Sequence, residues 1–338
     1  MVKEVVQLMD KIFVAFPAMD DPEMLATAIN AFRSAKYPER IYLGIAVQSV
    51  KKSLFRRVNR KFKEFIDEPN LGNIRTSFTR ITSRNFFDKA GVGRGRQLAW
   101  DLYQGEEYAL QVDAHTWFGQ DWDEHLIELH TQAKEFTGLD KVVLTAYAGM
   151  YSYVDAGKRE PLDNEKGVFR YPYFVHDSRF SQFVPNWLDE SISDAGKYRF
   201  LPCVKFNANF SFGDKQFAEN NGLLKHGIFW EEEVAQSVNL FDSGFALVFP
   251  VVSFPIICHL YGANANSWGG KRTGYEEYVS PRVQNLLGKI SRLNWRYFIE
   301  DPKNRAAIKR YEHWAKVSLR YGVLKENYIP STFGQPKP

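Results

Sequence analysis

Cysteine is scarce in this sequence, and long apolar runs and glycine-rich phosphate loops are missing. Its two cysteines, Cys203 and Cys258, lie far apart, each in an apolar stretch. That pattern fits buried free thiols in a reducing compartment and excludes a secreted disulfide framework. No segment approaches the roughly eighteen consecutive apolar residues that a membrane span needs. Met1 to Asp10 holds no apolar core of signal-peptide length. A cytoplasmic location with no membrane partner is therefore expected. No Gly-x-Gly-x-x-Gly follows the first apolar strand and no Walker-type loop occurs, which argues against a dinucleotide or ATP site. Internal repeats and low-complexity segments are also missing.

What remains is an ordinary globular composition, 44% hydrophobic and 25% charged over 338 residues, enough for one large domain or two small ones. Aromatics are plentiful, with 27 Phe and 17 Tyr, so large rings must fill the core or line a site. Net charge is only +4, but it is unevenly placed. Lys51, Lys52, Arg56, Arg57, Arg60, Lys61 and Lys63 fall in one short stretch without an acid, and the segment from Lys271 to Lys325 is again rich in Lys and Arg. Such patches suit a polyanionic partner, and a solvated helix face explains them equally well.

The order of elements predicts an α/β fold. Lys11 to Phe16 reads as a buried strand closed by Pro17. Asp21-Pro22 then opens a helix with Asp21 as its cap, Leu25, Ile29 and Phe32 giving its period. Arg40 to Val47 is a second apolar strand, and strand–helix–strand suits a parallel sheet. A basic, loop-like region to about Asn85 follows, then a helix over Arg94–Tyr103, a strand over Tyr108–Val112 and a helix over Trp122–Phe136. Further strands are expected at Lys141–Ala148, Val204–Phe212, Phe245–Pro250 and Ile256–Tyr261, and helices at Glu231–Phe241, Val283–Phe298 and Asn304–Leu319. Asp155 to Asp194 reads as long loops. There Tyr171, Tyr173, Phe174 and Trp187 suit either an acceptor wall or packing under a loop. His125 and His130 read as structural.

The most informative residues end the strand before Thr116. Asp113-Ala114-His115 places two metal-competent side chains two apart, hence on one side of an extended chain. A carboxylate oxygen and an imidazole nitrogen together suit Mn²⁺.

Several segments together resemble the cytoplasmic polypeptide N-acetylglucosaminyltransferases, retaining enzymes of GT-A fold that use a UDP-sugar and Mn²⁺. The segments are Gln111-Val112-Asp113-Ala114-His115 followed by Phe118 and Trp122-Asp123, then Gly91 with Arg96, Glu232-Glu233 with Gly244-Phe245, and His259-Leu260-Tyr261. Asp21-Pro22-Glu23 and Gln48 also match, so Lys11 to Tyr261 is covered. The family's Tyr-Arg before Asp-Pro-Glu is Met19-Asp20 here, and its Ala before the loop arginine is Gly95. The resemblance implies a GT-A domain over residues 1–264, with a mixed central sheet, and leaves 265–338 as a basic helical extension. It implies Asp113, His115 and His259 as ligands of Mn²⁺ or Mg²⁺. It places Pro17, Asp21, Gln48, Arg96 and Asp113 at the nucleotide-sugar, and Glu232 and Glu233 at the catalytic step. An acidic helix start, favoured by the helix dipole, explains the Glu231–Glu233 run nearly as well.

A protein hydroxyl is the acceptor that the family implies. The chain is also similar to phage-encoded glycosyltransferases that decorate 5-hydroxymethylcytosine in DNA. Its basic segments favour that reading, with Lys51, Lys52, Arg56, Arg57, Arg60 and Lys61 on the phosphates of double-stranded DNA and the target base flipped out. The location would then be the host cytoplasm. Arabinose, glucose and N-acetylglucosamine all remain open as the sugar, and a non-catalytic sugar- or nucleic-acid-binding module is the alternative to an enzyme.

Overall fold

The structure is a computed structural model that describes residues 10–49, 60, 73–82, 91–154, 158–161, 169, 171–172, 199–220, 231–261, 289, 293–320, 322–323 and 329–334. The Lys51–Lys63 cluster, apart from Arg60, lies outside the described residues, as do Tyr173, Phe174 and Trp187.

A continuous apolar run makes a strand covered on both faces. Strand β1 (Ile12–Met19) and β2 (Ile41–Ser49) are such runs, parallel and in register from Ile12↔Ile41 to Met19↔Gln48. Helix α1 (Met24–Arg33) joins them, burying Met24, Thr27, Ala28, Ala31 and Phe32. Leu25 and Ile29 sit at its margin, so the buried face is rotated from the one the sequence predicts. The helix begins at Met24 with Glu23 in the cap position and no side-chain cap, so Asp21 is not the cap that the sequence suggests; it accepts the Glu23 amide at 2.8 Å within the preceding turn.

Pro17 does not close β1. Asp20 N–H donates to Gln48 O at 3.0 Å, so even-numbered amides of β1 face β2 and odd-numbered ones face the other neighbour. That neighbour, β4 (Tyr108–Val112), pairs only as far as Ala15, so no ladder donor is needed at Pro17.

Helix α2 (Val92–Trp100) leads into β4 and packs over β1 and β2. Gly44 allows this approach, because a Cβ there would strike the Phe13 ring and come within 3.0 Å of the Ala99 carbonyl. The basic region also conceals a strand: β3 (Asn73–Arg80) pairs parallel with β2 at the sheet edge. Half-buried on both faces, it has a polar sequence with no period to reveal it.

The central sheet has the order β3-β2-β1-β4-β10-β6-β11-β9, where β6 is Val142–Thr145, β9 Arg199–Pro202, β10 Phe210–Asp214 and β11 Ala246–Val251. Strands β10 and β9 run antiparallel, which makes the sheet mixed. Helix α3 (Trp122–Thr137) packs on β6, β10 and β11, and the short α4 (Lys215–Asn220) packs on β10 and β4. A smaller sheet, β5-β12-β7-β8, is formed by Thr116–Phe118, Ile257–His259, Gly149–Val154 and Lys158–Pro161.

Residues 203–209 are not a strand, although Phe206, Ala208 and Phe210 are all fully buried as the alternation suggests. Side chains replace the ladder there. The amides of Phe206, Asn207, Ala208 and Asn209 donate to Ser237 Oγ, Thr145 Oγ1, Glu233 Oε1 and Asn207 Oδ1.

Helix α5 (Glu231–Asp242) shares a second apolar cluster with Trp295, Phe298 and helix α6 (Arg305–Ala315), whose Tyr311 donates to the Val204 carbonyl. The C-terminal helices thus buttress the helix that carries Glu232 and Glu233. Among the described residues, no helix is long and apolar enough to cross a membrane. Both cysteines are buried and neither forms a disulfide, and burial pushes the Cys203 thiol up to about 12.

Candidate metal centre

In open parallel sheets, ligands bind beyond the carboxyl ends of the strands, at the point where the strand order reverses. Here that point lies between β1 and β4. The end of β1 and its following turn bring Pro17 and Asp21, β2 brings Gln48, and Asp113 directly follows β4. Gly95 lies against this edge, where a Cβ would come within 2.8 Å of Pro17 Cβ and 3.1 Å of Gln48 Oε1. That contact explains glycine where the resembling family has alanine.

His115 and His259 join Asp113 through β5. One edge of β5 pairs with β12, setting His259 opposite Thr116, and the Leu260 amide donates to His115 O at 3.1 Å. The other edge is served by α1 side chains one turn apart. Thr27 Oγ1 donates to Thr116 O and accepts the Thr116 amide, while Asn30 accepts the Phe118 amide and donates to its carbonyl. Two polar residues of α1 therefore stand in for a neighbouring strand.

The outcome is a compact donor set. Ligand atoms of Asp113, His115 and His259 all lie within 4.8 Å of one another. The two imidazoles meet edge to face, with centroids 4.4 Å apart, and His259 Nε2 lies 3.1 Å from Asp113 Oδ2. One oxygen and two nitrogens at this spacing fit a divalent transition metal. The second Asp113 oxygen accepts from Arg96 Nη2 at 2.9 Å, and Glu232 pairs with Arg96 Nη1. Burial alone would raise the Asp113 pKa. The Arg96 guanidinium and the hydrogen bond from His259 outweigh it and hold the carboxyl far below the usual carboxylate range.

The two adjacent glutamates of α5 take different partners. Glu232, 1% exposed, is committed to Arg96. Glu233 pairs with Lys205 Nζ at 2.6 Å and also accepts the Ala208 amide. Lys205 is wholly buried, and burial lowers its pKa to about 8 against the opposing pull of Glu233. Nearby, Asn209 donates to Tyr261 OH, which donates to Ala148 O, and the Tyr261 ring lies 4.3 Å from that of His259.

Sequence reading missed Lys205, Asn209 and the link from Asp21 to His115. The available signal was a lone lysine inside the apolar run Pro202–Phe212, since a buried cation must have a partner. Trp122-Asp123, part of the motif, serves the fold away from the metal centre. Trp122 donates to Ala31 O, and Asp123 gathers the amides of Lys36 and Tyr37 and the Arg40 guanidinium. Tyr171 is no acceptor wall, because it is buried against Phe249 with its hydroxyl on Pro202 O. His130 is buried on the Val142 carbonyl and His125 packs on Phe254, both structural.

Three comparisons bear on identity. A crystal structure of GalNAc-T7 with UDP, GalNAc and Mn²⁺ superposes with a TM-score of 0.52 at 14% identity, covering 94% of this chain. This chain spans 55% of that one, and at such identity the likeness shows the fold, which is GT-A. No curated protein matches the sequence. The model of the family described as Glycosyltransferase (GlcNAc) matches residues 73–329, well over half the chain and past Tyr261 into the basic C-terminal region, so the chain belongs to that glycosyltransferase family.

Proposed function

We propose that this glycosyltransferase is metal-dependent and moves a sugar from a UDP-sugar to a hydroxyl acceptor. The observation that carries the reading is the Asp113–His115–His259 set at the strand-order reversal. A neighbour of the same fold that was crystallised with UDP and Mn²⁺ supports it. Asp113, His115 and His259 would hold Mn²⁺ or Mg²⁺, which when bound offsets the charge that grows on the diphosphate leaving group.

The protein's own residues do the rest. Glu232 fixes Arg96, and Arg96 holds Asp113 ionised and offers a guanidinium to the diphosphate. Pro17, Gln48 and the turn through Asp21 form the nucleotide side of the site. Glu233, kept in place by Lys205, is the carboxylate at the reacting sugar. In the transfer step the acceptor oxygen bonds to the anomeric carbon as the bond to the diphosphate oxygen breaks, and the hydroxyl proton passes to that leaving oxygen. Retention of configuration follows from the resemblance to retaining enzymes.

For the acceptor we favour 5-hydroxymethylcytosine in double-stranded DNA. The support is the basic cluster from Lys51 to Lys63, which the chain enters after Ser49, at the carboxyl end of β2 and so at the same end of the parallel strands as Asp113. A protein hydroxyl receiving N-acetylglucosamine is the second reading: the family's description favours that sugar, and the acceptor follows from the resemblance. Radiolabel transfer from UDP-arabinose, UDP-glucose and UDP-N-acetylglucosamine tests both, using hydroxymethylated duplex, unmodified duplex and protein extract as acceptors. Label on hydroxymethylated duplex alone is expected, and label on protein alone selects the second reading. Full activity in EDTA, or in Asp113→Asn, refutes the metal-dependent mechanism.

A further inference from the structure

The turn after β1 reaches the metal centre through a carboxylate. Asp20 adopts a left-handed backbone conformation (φ 49°), uncommon for a residue with a side chain, and its amide is tied to Gln48 O. The bend directs Asp21 back toward β5. Asp21 Oδ1 accepts the Glu23 amide at 2.8 Å, and Asp21 Oδ2 lies 2.8 Å from His115 Nδ1. Glu23 is in turn bonded by the hydroxyl of Tyr153, with Tyr151 OH at 3.5 Å, which ties the turn to the small sheet. The Asp21 carboxylate is therefore held from both sides.

An ionised carboxylate only accepts hydrogen bonds, so the imidazole nitrogen facing it must carry the hydrogen. In neutral His115 that nitrogen is Nδ1, which leaves the lone pair on Nε2. Carboxylate–imidazole–metal chains of this kind fix ring orientation and raise the basicity of the ligating nitrogen. We infer that Asp21 is a positioning residue for the metal centre, fixing His115 as the Nδ1–H tautomer with Nε2 as its ligand atom. The inference rests on the metal-centre reading above and adds a role for Asp21 beyond the nucleotide side of the site. It also makes the β1–α1 turn a determinant of metal affinity, although the turn supplies no ligand.

Asp21→Asn isolates the effect. The asparagine oxygen can still accept the Glu23 amide, so the helix start is kept. Its NH₂ group then faces His115 Nδ1 and can only donate, which moves the ring hydrogen to Nε2 and blocks ligation there. Mn²⁺ binding measured by calorimetry and by the electron paramagnetic resonance of free Mn²⁺ should weaken by about 10–100-fold. The thermal midpoint of the metal-free protein should stay at the wild-type value. His115→Ala serves as the reference for loss of a ligand. If Asp21→Asn binds Mn²⁺ as tightly as wild type while His115→Ala does not, the positioning role is refuted and the metal centre stands. Wild-type protein that binds no Mn²⁺ overturns both. If the variant unfolds, ¹⁵N-histidine spectra of the metal-free wild type decide: His115 protonated at Nδ1 supports the inference, and protonation at Nε2 alone overturns it.

Discussion

Lys205→Met is the most demanding test of how the site is built. Lys205 is wholly buried and paired with Glu233, whose side chain is 16% exposed. Methionine matches the length of the lysine stem, so little packing volume is lost. What is lost is the only positive charge paired with Glu233 among the described residues. Removing one partner of a buried ion pair costs about 3–5 kcal/mol, because the other is left uncompensated. The Ala208 amide still reaches Glu233, which places the expectation at the lower end, about 3 kcal/mol. For a chain of this length that corresponds to a fall in thermal midpoint of about 4 °C. The double change Lys205→Met with Glu233→Gln should recover most of that loss, because no unpaired charge remains. Sugar transfer should not recover with it if Glu233 acts at the reacting sugar. Scanning fluorimetry gives the midpoints and donor-hydrolysis rates give the activity. An unchanged midpoint in the single variant refutes the buried-pair argument. Restored activity in the double variant removes Glu233 from the reaction.

The same pair sets a pH dependence. The Lys205 pKa is lowered to about 8 when folded, while an unfolded lysine titrates near 10.5. Between these values the unfolded chain binds the extra proton, so this group's contribution to stability rises with pH through that window. The ion pair itself dissolves above pH 8, so the rate profile should carry an alkaline limb there that Lys205→Met lacks. Gly95→Ala gains about 0.5–1 kcal/mol of helix propensity but meets Pro17 Cβ at 2.8 Å. Overpacking of that kind costs about 1–3 kcal/mol, so a net loss in thermal midpoint is expected. Thr27→Val strips two hydrogen bonds from the Thr116 backbone at a cost of about 2–4 kcal/mol, and calorimetry should show weaker Mn²⁺ binding although no ligand is changed. Replacing Arg56, Arg57, Arg60 and Lys61 with Ala should weaken duplex binding on all sequences alike. It should also flatten a salt slope of about −0.9 per neutralised phosphate, and leave donor hydrolysis intact.

His259 entered as a candidate third ligand only through the resemblance; the sequence by itself determined the alternation of strands and helices and the Asp-x-His strand end. These are local: a buried strand is a run of apolar residues, and two ligands at i and i+2 share a side whatever surrounds them. Tertiary structure decided what spans the chain. The strand order, with its reversal between β1 and β4, brings Asp21 to His115 across 94 residues and His259 to Asp113 across 146. The edge strand β3 stayed hidden because, half-buried on both faces, it needs no hydrophobic period. The segment at 203–209 reads as a strand because apolar and polar residues alternate there, yet all seven are buried and its amides are bonded by side chains of distant helices and strands. Glu232 and Glu233 are adjacent and chemically alike, and only folding separates them. A helix turns about 100° per residue, which delivers one carboxylate to Arg96 and the other to Lys205.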